Sequence, residues 1–374
     1  MTPFDTAADL DALADAGAYE GAIGIGRFSS KGTTVIFTKG EYGVMVAVRT
    51  GPAGSQLVHF TPTKRISTYL VALIAGPYAK VTDSHEGIPL GLYCRASLAQ
   101  YLDPDELFRV TKQGFDFFHR VFDYPYPFDK YDQLFVPEFN AGAMENAGAV
   151  TFLENYVFRS TVTEAMVERR AITILHELAH MWFGNLVTMR WWNDLWLNES
   201  FAEFMSTLAA AENTRYTEAW TTFAAGEKSW GYEQDQLPTT HPIKAEIRDL
   251  EDVLVNFDGI TYAKGASVLK QLVAWVGQAQ FMAGLNRYFR EHAWGNTELR
   301  DLMVRLEEAS GRDLDEWAAQ WLGTAGVNTL TPVLETDQDG IIRAFRIEQT
   351  APAEHPTLRP HRLAVGFYDH DAQR

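Results

Sequence analysis

The sequence predicts an α+β protein made of three parts, because β-type alternation dominates both ends of the chain and helical periodicity dominates its middle. Apolar and polar residues alternate through much of residues 1–85, which predicts a β-rich N-terminal domain. In residues 86–327 apolar side chains recur every three or four positions, which predicts a mainly helical domain. Alternation returns in residues 328–374, which we interpret as the beginning of a further β-rich domain.

The individual elements follow from the same two periodicities. Helices are predicted at residues 104–122, 164–183, 199–211, 262–276, 280–292 and 296–309. Strands are predicted at residues 34–37, 44–48, 69–75, 133–136, 149–153 and 341–347, with a Gly/Pro/Ser break at 51–55 and a proline-interrupted strand pattern at 352–367.

Composition excludes several classes of protein. The chain of 374 residues is 46% hydrophobic, enough to bury a sizeable core in two or three domains. Its formal net charge of −17 at pH 7 argues against nucleic acid or an anionic membrane as a partner. No apolar run approaches the ~20 residues of a membrane span, and the N-terminus lacks signal-peptide features. Since Cys94 is the only cysteine, no disulfide can form within the chain, and we expect a cytoplasmic protein.

The most informative motif is the pair His176 and His180, with Glu177 between them and Glu199 following after eighteen intervening residues. Residues four apart share one face of a helix, so both imidazoles can face the same metal ion. Glu199 is expected at the start of a second helix and would be the third ligand, which leaves a fourth position for water. Glu177 follows the first ligand directly and is expected beside that water as the general base. The pattern predicts one zinc ion per chain and a metallopeptidase.

The residues around this motif narrow the kind of zinc site that it can form. Zinc peptidases of another subclass require a glycine and a histidine after the second ligand, but Phe183 and Leu186 occupy those positions. The alternative to a metal site is an amphipathic helix whose histidines merely pack or cap. Asp194 is a candidate acceptor that would orient one of the imidazoles, an arrangement common around zinc.

A run of small residues upstream, 140–148, carries a single carboxylate, Glu145, between two predicted strands. Within it, Gly142, Ala143 and Met144 would allow a peptide backbone to approach and pair as an added strand. Glu145 would then supply negative charge for an ammonium group, such as a free peptide N-terminus. An edge strand with a solvated glutamate explains the same pattern equally well.

Downstream, Tyr262 lies near the start of a predicted helix. A phenol there could donate a hydrogen bond to the oxyanion of a tetrahedral intermediate, although most tyrosines simply pack in the core. His241 precedes a proline. It could lie near the cleft, but we interpret it as a loop residue with ordinary hydrogen bonds. The tryptophans at 191, 192 and 196 are interpreted as packing beneath the ligand helix.

Taken together, these motifs resemble those of the M1 family of zinc aminopeptidases. The resemblance rests on 142–146, on 176–180 with Glu199, on the tryptophan-rich block 191–199, and on Tyr262 followed by 264–265. It extends over roughly residues 58–330. It implies a thermolysin-like catalytic domain at 86–327, preceded by a partial or divergent β-domain at 1–85 and followed by the start of a β-sandwich.

The resemblance also implies a role for each matching residue. His176, His180 and Glu199 would bind zinc and Glu177 would be the general base. Glu145 would hold the substrate's α-ammonium and Tyr262 would stabilise the transition state, so the substrates would be peptides with a free N-terminus.

Residues 1–57 lack the Gln-x-Glu type of segment that contributes to the family's substrate pocket. Ser200 stands where many relatives have glycine. A truncated chain that binds zinc or peptides without catalysis is therefore the alternative.

Overall fold

The structure is a computed structural model that describes residues 22–30, 33–40, 43–50, 54–56, 63–72, 74 and 76–368. The chain forms two compact units, residues 1–73 and residues 74–374. Over the described ranges, no helix has both the length and the apolar character needed to cross a membrane.

The first unit contains a four-stranded antiparallel sheet in the order β1-β2-β3-β4. Its strands are β1 Ala22–Ser30, β2 Thr33–Gly40, β3 Gly43–Thr50 and β4 Gly54–Gln56. The predicted β-rich N-terminal segment is therefore confirmed. The predicted break at 51–55 is wrong for residues 54 and 55, which belong to β4, and residues 51–53 lie outside the described residues. The strand predicted at 69–75 is wrong for the described residues, because Thr68–Leu70 forms a single 3-10 turn.

The second unit begins with a five-stranded mixed sheet in the order β5-β6-β7-β9-β8. Its strands are β5 Tyr78–His85, β6 Ile88–Arg95, β7 Tyr131–Val136, β8 Ala143–Met144 and β9 Ala149–Leu153. The pairs β6–β7 and β7–β9 are parallel and the others antiparallel. Strand β8 lies at the edge of the sheet, pairing within it only with β9.

The described residues of the second unit also form ten α-helices, the first of which lies between β6 and β7. They are α1 Pro104–Phe122, α2 Glu164–Ala179, α3 Trp196–Asn213, α4 Ala219–Ala225, α5 Glu227–Gln234, α6 Leu250–Val255, α7 Gly265–Val276, α8 Gln278–His292, α9 Leu299–Ser310 and α10 Asp315–Trp321. An α+β fold with a mainly helical second unit is thus confirmed.

Local sequence explains the ends of α1. Asp103 caps its N-terminus by accepting a hydrogen bond from the backbone N–H of Glu106, and Pro104 fills the first helical position, where no N–H is needed. Asp123 ends the helix in the left-handed conformation, with φ of 46°. The prediction of 104–122 is confirmed at both ends.

Other helix boundaries differ from the prediction. Helix α2 ends at Ala179 rather than 183, because the backbone tightens after it and Trp182 N–H bonds to the carbonyl of Ala179. Helix α9 begins at Leu299, because Asn296–Thr297 forms strand β11, which pairs in parallel with β10 at Thr188–Met189. The segment predicted as one helix at 262–276 is divided into a π-helical turn, Ile260–Lys264, and α7.

Helices α2 and α3 pack against each other over an aromatic core. Trp182 and Phe122 are completely buried, and their rings lie 5.4 Å apart. Phe183 stacks on Phe201 of α3 with ring centroids 4.5 Å apart. Because α3 is buried for most of its length, a residue in its first turn is held rigidly.

The second unit ends in an antiparallel hairpin, β12 Thr329–Thr336 and β13 Ile342–Thr350. The strand pattern predicted at 352–367 is wrong, because no strand forms there. Arg359 supplies a physical reason. Arg359 is 3% exposed, and its guanidinium donates to the carbonyls of Gln320, Thr324, Ala325 and Gly326, which fixes the segment to α10 and the residues after it.

Candidate metal centre and its surroundings

Helices α2 and α3 bring together the three side chains predicted as metal ligands. His176 lies in the last turn of α2, His180 directly follows that helix, and Glu199 lies in the first turn of α3. The Nε2 atoms of His176 and His180 lie 3.3 and 3.5 Å from Oε2 of Glu199. All three side chains are buried, and their ligand atoms lie within 4.8 Å of one another. The residues that can hold a metal ion are therefore assembled.

Hydrogen bonds on the far side of each ring fix its tautomer. Nδ1 of His176 lies 3.2 Å from Oε2 of Glu203, and Nδ1 of His180 donates to Oδ1 of Asn198 at 2.5 Å and to the carbonyl of Phe183 at 3.1 Å. With a proton held on Nδ1, each Nε2 faces Glu199 and is the nitrogen that can give its lone pair to a metal ion. Two imidazole nitrogens and a carboxylate oxygen form a donor set suited to zinc.

Two of these orienting residues were missed by the sequence analysis. Glu203 is four residues after Glu199, on the same face of α3, and that spacing is the only signal that could have identified it. Asn198 immediately precedes a ligand. The residue that was predicted as an acceptor, Asp194, is wrong for this role, because it accepts hydrogen bonds from Trp196 Nε1 at 3.0 Å and from the backbone of Leu299.

The ligand cluster is strongly polarised. Burial lowers the pKa of His180, but the charges of Glu145 and Glu199 outweigh it and raise that pKa to about 9. Burial likewise lowers the pKa of His176, and its bonds to Glu199 and Glu203 raise it overall. Burial raises the pKa of Glu199, but the two histidines outweigh that effect and lower it to about 2. In the metal-free cluster the two histidines therefore hold protons opposite the Glu199 carboxylate, and a bound metal ion would take the place of those protons.

Glu177 lies beside the ligands. Burial is the main reason why its pKa is raised to about 8, against the opposing charges of His176 and His180. Its Oε2 atom is buried and has no hydrogen-bond partner among the residues that the structure describes. A buried carboxylate with a free oxygen and a pKa near neutrality is suited to accept and return a proton.

Glu145 follows the edge strand β8 and is 4% exposed. The alternative of a solvated glutamate is therefore wrong. Its carbonyl accepts a hydrogen bond from Asn185 Nδ2 at 2.8 Å, and its Oε1 accepts from Asn198 Nδ2 at 2.9 Å. The amide of Asn198 consequently joins Glu145 to His180. Among the other residues of the run, Ala143 and Met144 pair with β9, and Gly142 is exposed before them.

The loop after α2 contains a glycine, Gly184, that lies too close to Asn198 to carry a side chain. Gly184 has φ of +109°, and a Cβ there would lie 2.2 Å from Oδ1 of Asn198. Glycine at 184 therefore allows the loop after α2 to lie directly against the Asn198 amide.

Tyr262 lies on the π-helical turn and faces the ligand cluster. Its ring stacks on that of His176, with centroids 6.0 Å apart and planes inclined by 14°. Burial raises its pKa well above the ordinary value, and the charges of Glu199 and Glu145 add to the effect. The phenol therefore keeps its proton and can donate it in a hydrogen bond. Ser200 donates to the carbonyl of Thr261 at 2.6 Å, so α3 also holds this turn.

The remaining residues that drew attention in the sequence have structural partners. Trp196 is completely buried, as predicted, whereas Trp191 is 45% exposed and donates from Nε1 to the carbonyl of Ile247. His241 lies in a loop, and both of its ring nitrogens have hydrogen-bond partners.

Comparison with known protein sequences identifies the family of this chain. The model of the peptidase family M1 domain matches residues 107–321, which contain all three predicted metal ligands. The chain belongs to peptidase family M1. This M1 chain is 63% identical to aminopeptidase N of Streptomyces lividans over 324 residues, 83% of this chain and 38% of the relative.

More distant relatives match over a similar share of the M1 chain. It is 36% identical to tricorn protease-interacting factor F2 of Thermoplasma volcanium over 286 residues, 76% of this chain and 36% of that protein. It is 33% identical to aminopeptidase M1 of Arabidopsis thaliana over 317 residues, 84% of this chain and 36% of that protein. The chain thus spans less than two fifths of the length of these curated relatives.

Proposed function

We propose that the protein is a zinc-dependent aminopeptidase that removes the N-terminal residue from peptides with a free amine. The observation that carries the proposal is the pairing of a buried His-His-Glu cluster with a second buried carboxylate, Glu145, through one amide, that of Asn198. The first group suits a metal and the second suits an ammonium. Because the metal-binding cluster and the ammonium-binding carboxylate are adjacent, a peptide held by its N-terminal amine would be cleaved at its first bond.

His176, His180 and Glu199 would hold the zinc ion. The fit rests on the donor set, on both Nε2 atoms facing Glu199, and on the unpartnered Oε2 of Glu177 beside them. When bound, zinc supplies Lewis-acid polarisation of the substrate carbonyl and lowers the pKa of water.

Glu177 moves the proton in the proposed reaction. Its Oε2 takes a proton from the attacking water and then delivers it to the nitrogen of the leaving amine. Burial raises the pKa of Glu177, which favours delivery of the proton, and the positive charge of a bound zinc ion would favour the ionised form that accepts it. Removal of this carboxylate would leave the ligand set intact.

Glu145 and Tyr262 orient the substrate. The Glu145 carboxylate binds the α-ammonium, so only the first peptide bond reaches Glu177, and the outer edge of β8 is open to pair with the peptide backbone. The Tyr262 hydroxyl donates to the carbonyl oxygen as negative charge develops on it. The Glu145 contact binds the charged amine in the bound substrate and the transition state alike, whereas the Tyr262 contact is strongest in the transition state.

The test is release of p-nitroaniline from alanyl and leucyl anilides, each offered with a free and with an acetylated amine to the zinc-loaded chain. Hydrolysis restricted to the free-amine substrates is expected, because acetylation removes the charge that Glu145 binds. Equal hydrolysis of acetylated substrates, or stoichiometric zinc without turnover, would contradict the proposal.

We also propose the domain division 1–85, 86–327 and 328–374 and a cytoplasmic location. The location is supported by the single cysteine, Cys94, which is buried. Limited proteolysis that cuts near residues 85 and 327 would agree with the division, whereas cuts confined to other positions would oppose it.

A further inference from the structure

His241 is bonded through both ring nitrogens to acceptors. Nδ1 lies 2.8 Å from the carbonyl oxygen of Pro242, and Nε2 lies 2.8 Å from Oδ2 of Asp258. A carbonyl oxygen and a carboxylate can only accept, and a neutral imidazole carries one N–H. Both hydrogen bonds are made together only when the ring carries two protons and a positive charge.

Asp258 uses its remaining atoms to begin the turn that carries Tyr262. Its Oδ1 accepts from the backbone N–H groups of Ile260 and Thr261, each at 3.0 Å. Its carbonyl accepts from the backbone N–H of Tyr262 at 3.0 Å. One residue therefore caps the turn and bonds to His241 at the same time.

The turn needs such support. A π-helical turn is a rare and weakly favoured backbone geometry, and it is commonly found at functional sites. Here it places the Tyr262 ring against His176, so a small rotation of the turn would displace the hydroxyl from the ligand cluster. Its position thus depends on the groups that hold its ends.

We infer that His241, in its doubly protonated form, is a positioning residue that fixes the Tyr262 turn through Asp258. The inference rests on the proposed function, in which the Tyr262 hydroxyl stabilises the transition state. His241 does not touch the substrate or the ligands and acts only through the turn.

The charges around His241 favour the protonated ring. Burial lowers the pKa of His241, but the hydrogen bond and charge of Asp258 outweigh it, and the Pro242 carbonyl adds to the increase. The nearby cation is Lys264, which opposes protonation of His241. Because Lys264 is paired with Asp235 at 2.8 Å, its charge is largely compensated.

The first experiment is a double-mutant cycle between His241 and Tyr262, measured as kcat and KM on alanyl p-nitroanilide. Tyr262→Phe should lower kcat by about 100-fold, and His241→Ala by about 10-fold, with KM changed less than about twofold and zinc content unchanged. In the Tyr262→Phe background, His241→Ala should have almost no further effect, because there is no hydroxyl left to position.

His85 provides a matched control. Its Nε2 lies 2.7 Å from Oδ1 of Asp116, and the His85 side chain on the β5 and α1 surface is about as buried as that of His241. His85→Ala should leave kcat unchanged. His241→Gln keeps one neutral donor and should recover part of the lost kcat. This variant tests the inference if the alanine variant folds poorly.

The second experiment does not depend on activity. In the ¹⁵N-histidine-labelled protein at pH 7, His241 should carry protons on both ring nitrogens. In Asp258→Asn the new amide oxygen can still accept from the turn while its nitrogen donates to Nε2, so His241 should become neutral with the turn preserved.

The possible results distinguish a failure of the proposed function from a failure of the role inferred for His241. An inactive wild-type chain with a doubly protonated His241 would contradict the proposed function and leave the His241–Asp258 pair standing. An active wild type in which His241→Ala has normal kcat would overturn the inference. So would additive effects of the two substitutions, or a singly protonated His241.

Discussion

The metal-ligand cluster and the two residues that would contact the substrate are held in different ways. His176, His180 and Glu199 lie on or beside two long helices that pack over a buried aromatic core. Glu145 follows a two-residue edge strand and Tyr262 lies on a π-helical turn. Helix packing places the backbones of the ligands and hydrogen bonds only orient their rings, whereas the positions of the contact residues depend mainly on individual hydrogen bonds. The comparison predicts that metal binding and substrate positioning can be disrupted separately.

The largest effect is expected from Glu177→Gln. It removes the proton acceptor but leaves the ligand helices unchanged, so kcat should fall by about 10³-fold while zinc content stays at the wild-type level. Steady-state kinetics with metal analysis of the same sample makes the measurement. Full activity in this variant would rule out Glu177 as the general base.

The next effect is expected from Glu145→Gln. The amide can still accept the hydrogen bond from Asn198 but no longer carries the charge that binds an ammonium. The specificity constant kcat/KM for free-amine anilides should fall by about 10- to 100-fold, mostly through KM. Glu138→Gln, at an exposed carboxylate after β7, is the control and should have no effect. An unchanged KM in Glu145→Gln would show that the ammonium binds elsewhere.

Asn198 connects the two regions and therefore tests the comparison directly. Asn198→Ala removes the closer of the two acceptors for His180 and the donor for Glu145, so zinc affinity should fall by about 10-fold and KM should rise. Asn198→Asp keeps the acceptor but adds a negative charge beside Glu145, so KM should rise while zinc affinity is largely retained. If both variants bind zinc and substrate normally, the bridge is unimportant.

The smallest effect is expected from Ser200→Ala. It removes the 2.6 Å hydrogen bond to the Thr261 carbonyl and leaves a buried acceptor without that donor, which should lower the free energy of unfolding by about 1–3 kcal/mol. The turn that carries Tyr262 would loosen, so kcat should decrease a few-fold at constant zinc content.

Ser206 on the same helix is the control for this substitution. It is equally buried, but its hydroxyl bonds to the carbonyl of Glu203 within α3. Thermal unfolding of both alanine variants makes the comparison. Equal losses of stability would mean that the contact between Ser200 and the turn has no special role.

The sequence predicted the ligand region well because its signals are local. The spacing of His176, Glu177 and His180 is a property of one helix, and the ends of α1 follow from Asp103, Pro104 and Asp123. The supporting residues were missed because their partners are distant in sequence. Asn198 reaches Glu145 across 53 positions and Ser200 reaches Thr261 across 61. No periodicity reports such contacts.

The errors have the same origin. A helix pattern over 262–276 does not reveal that its first turn is π-helical, because the widening depends on Asp258 and Ser200. The strand pattern at 352–367 is overridden by the bonds of Arg359 to distant carbonyls. Asp194 looked suited to orient an imidazole, but Trp196 and Leu299 occupy its oxygens.

Zinc titration of the metal-free chain against a chromophoric chelator tests the central claim most directly. The wild type and Glu177→Gln should each bind one zinc ion tightly, whereas His180→Ala and Glu199→Ala should lose tight binding, since each lacks one of the three ligands. Stoichiometric tight zinc in His180→Ala and Glu199→Ala would contradict the account.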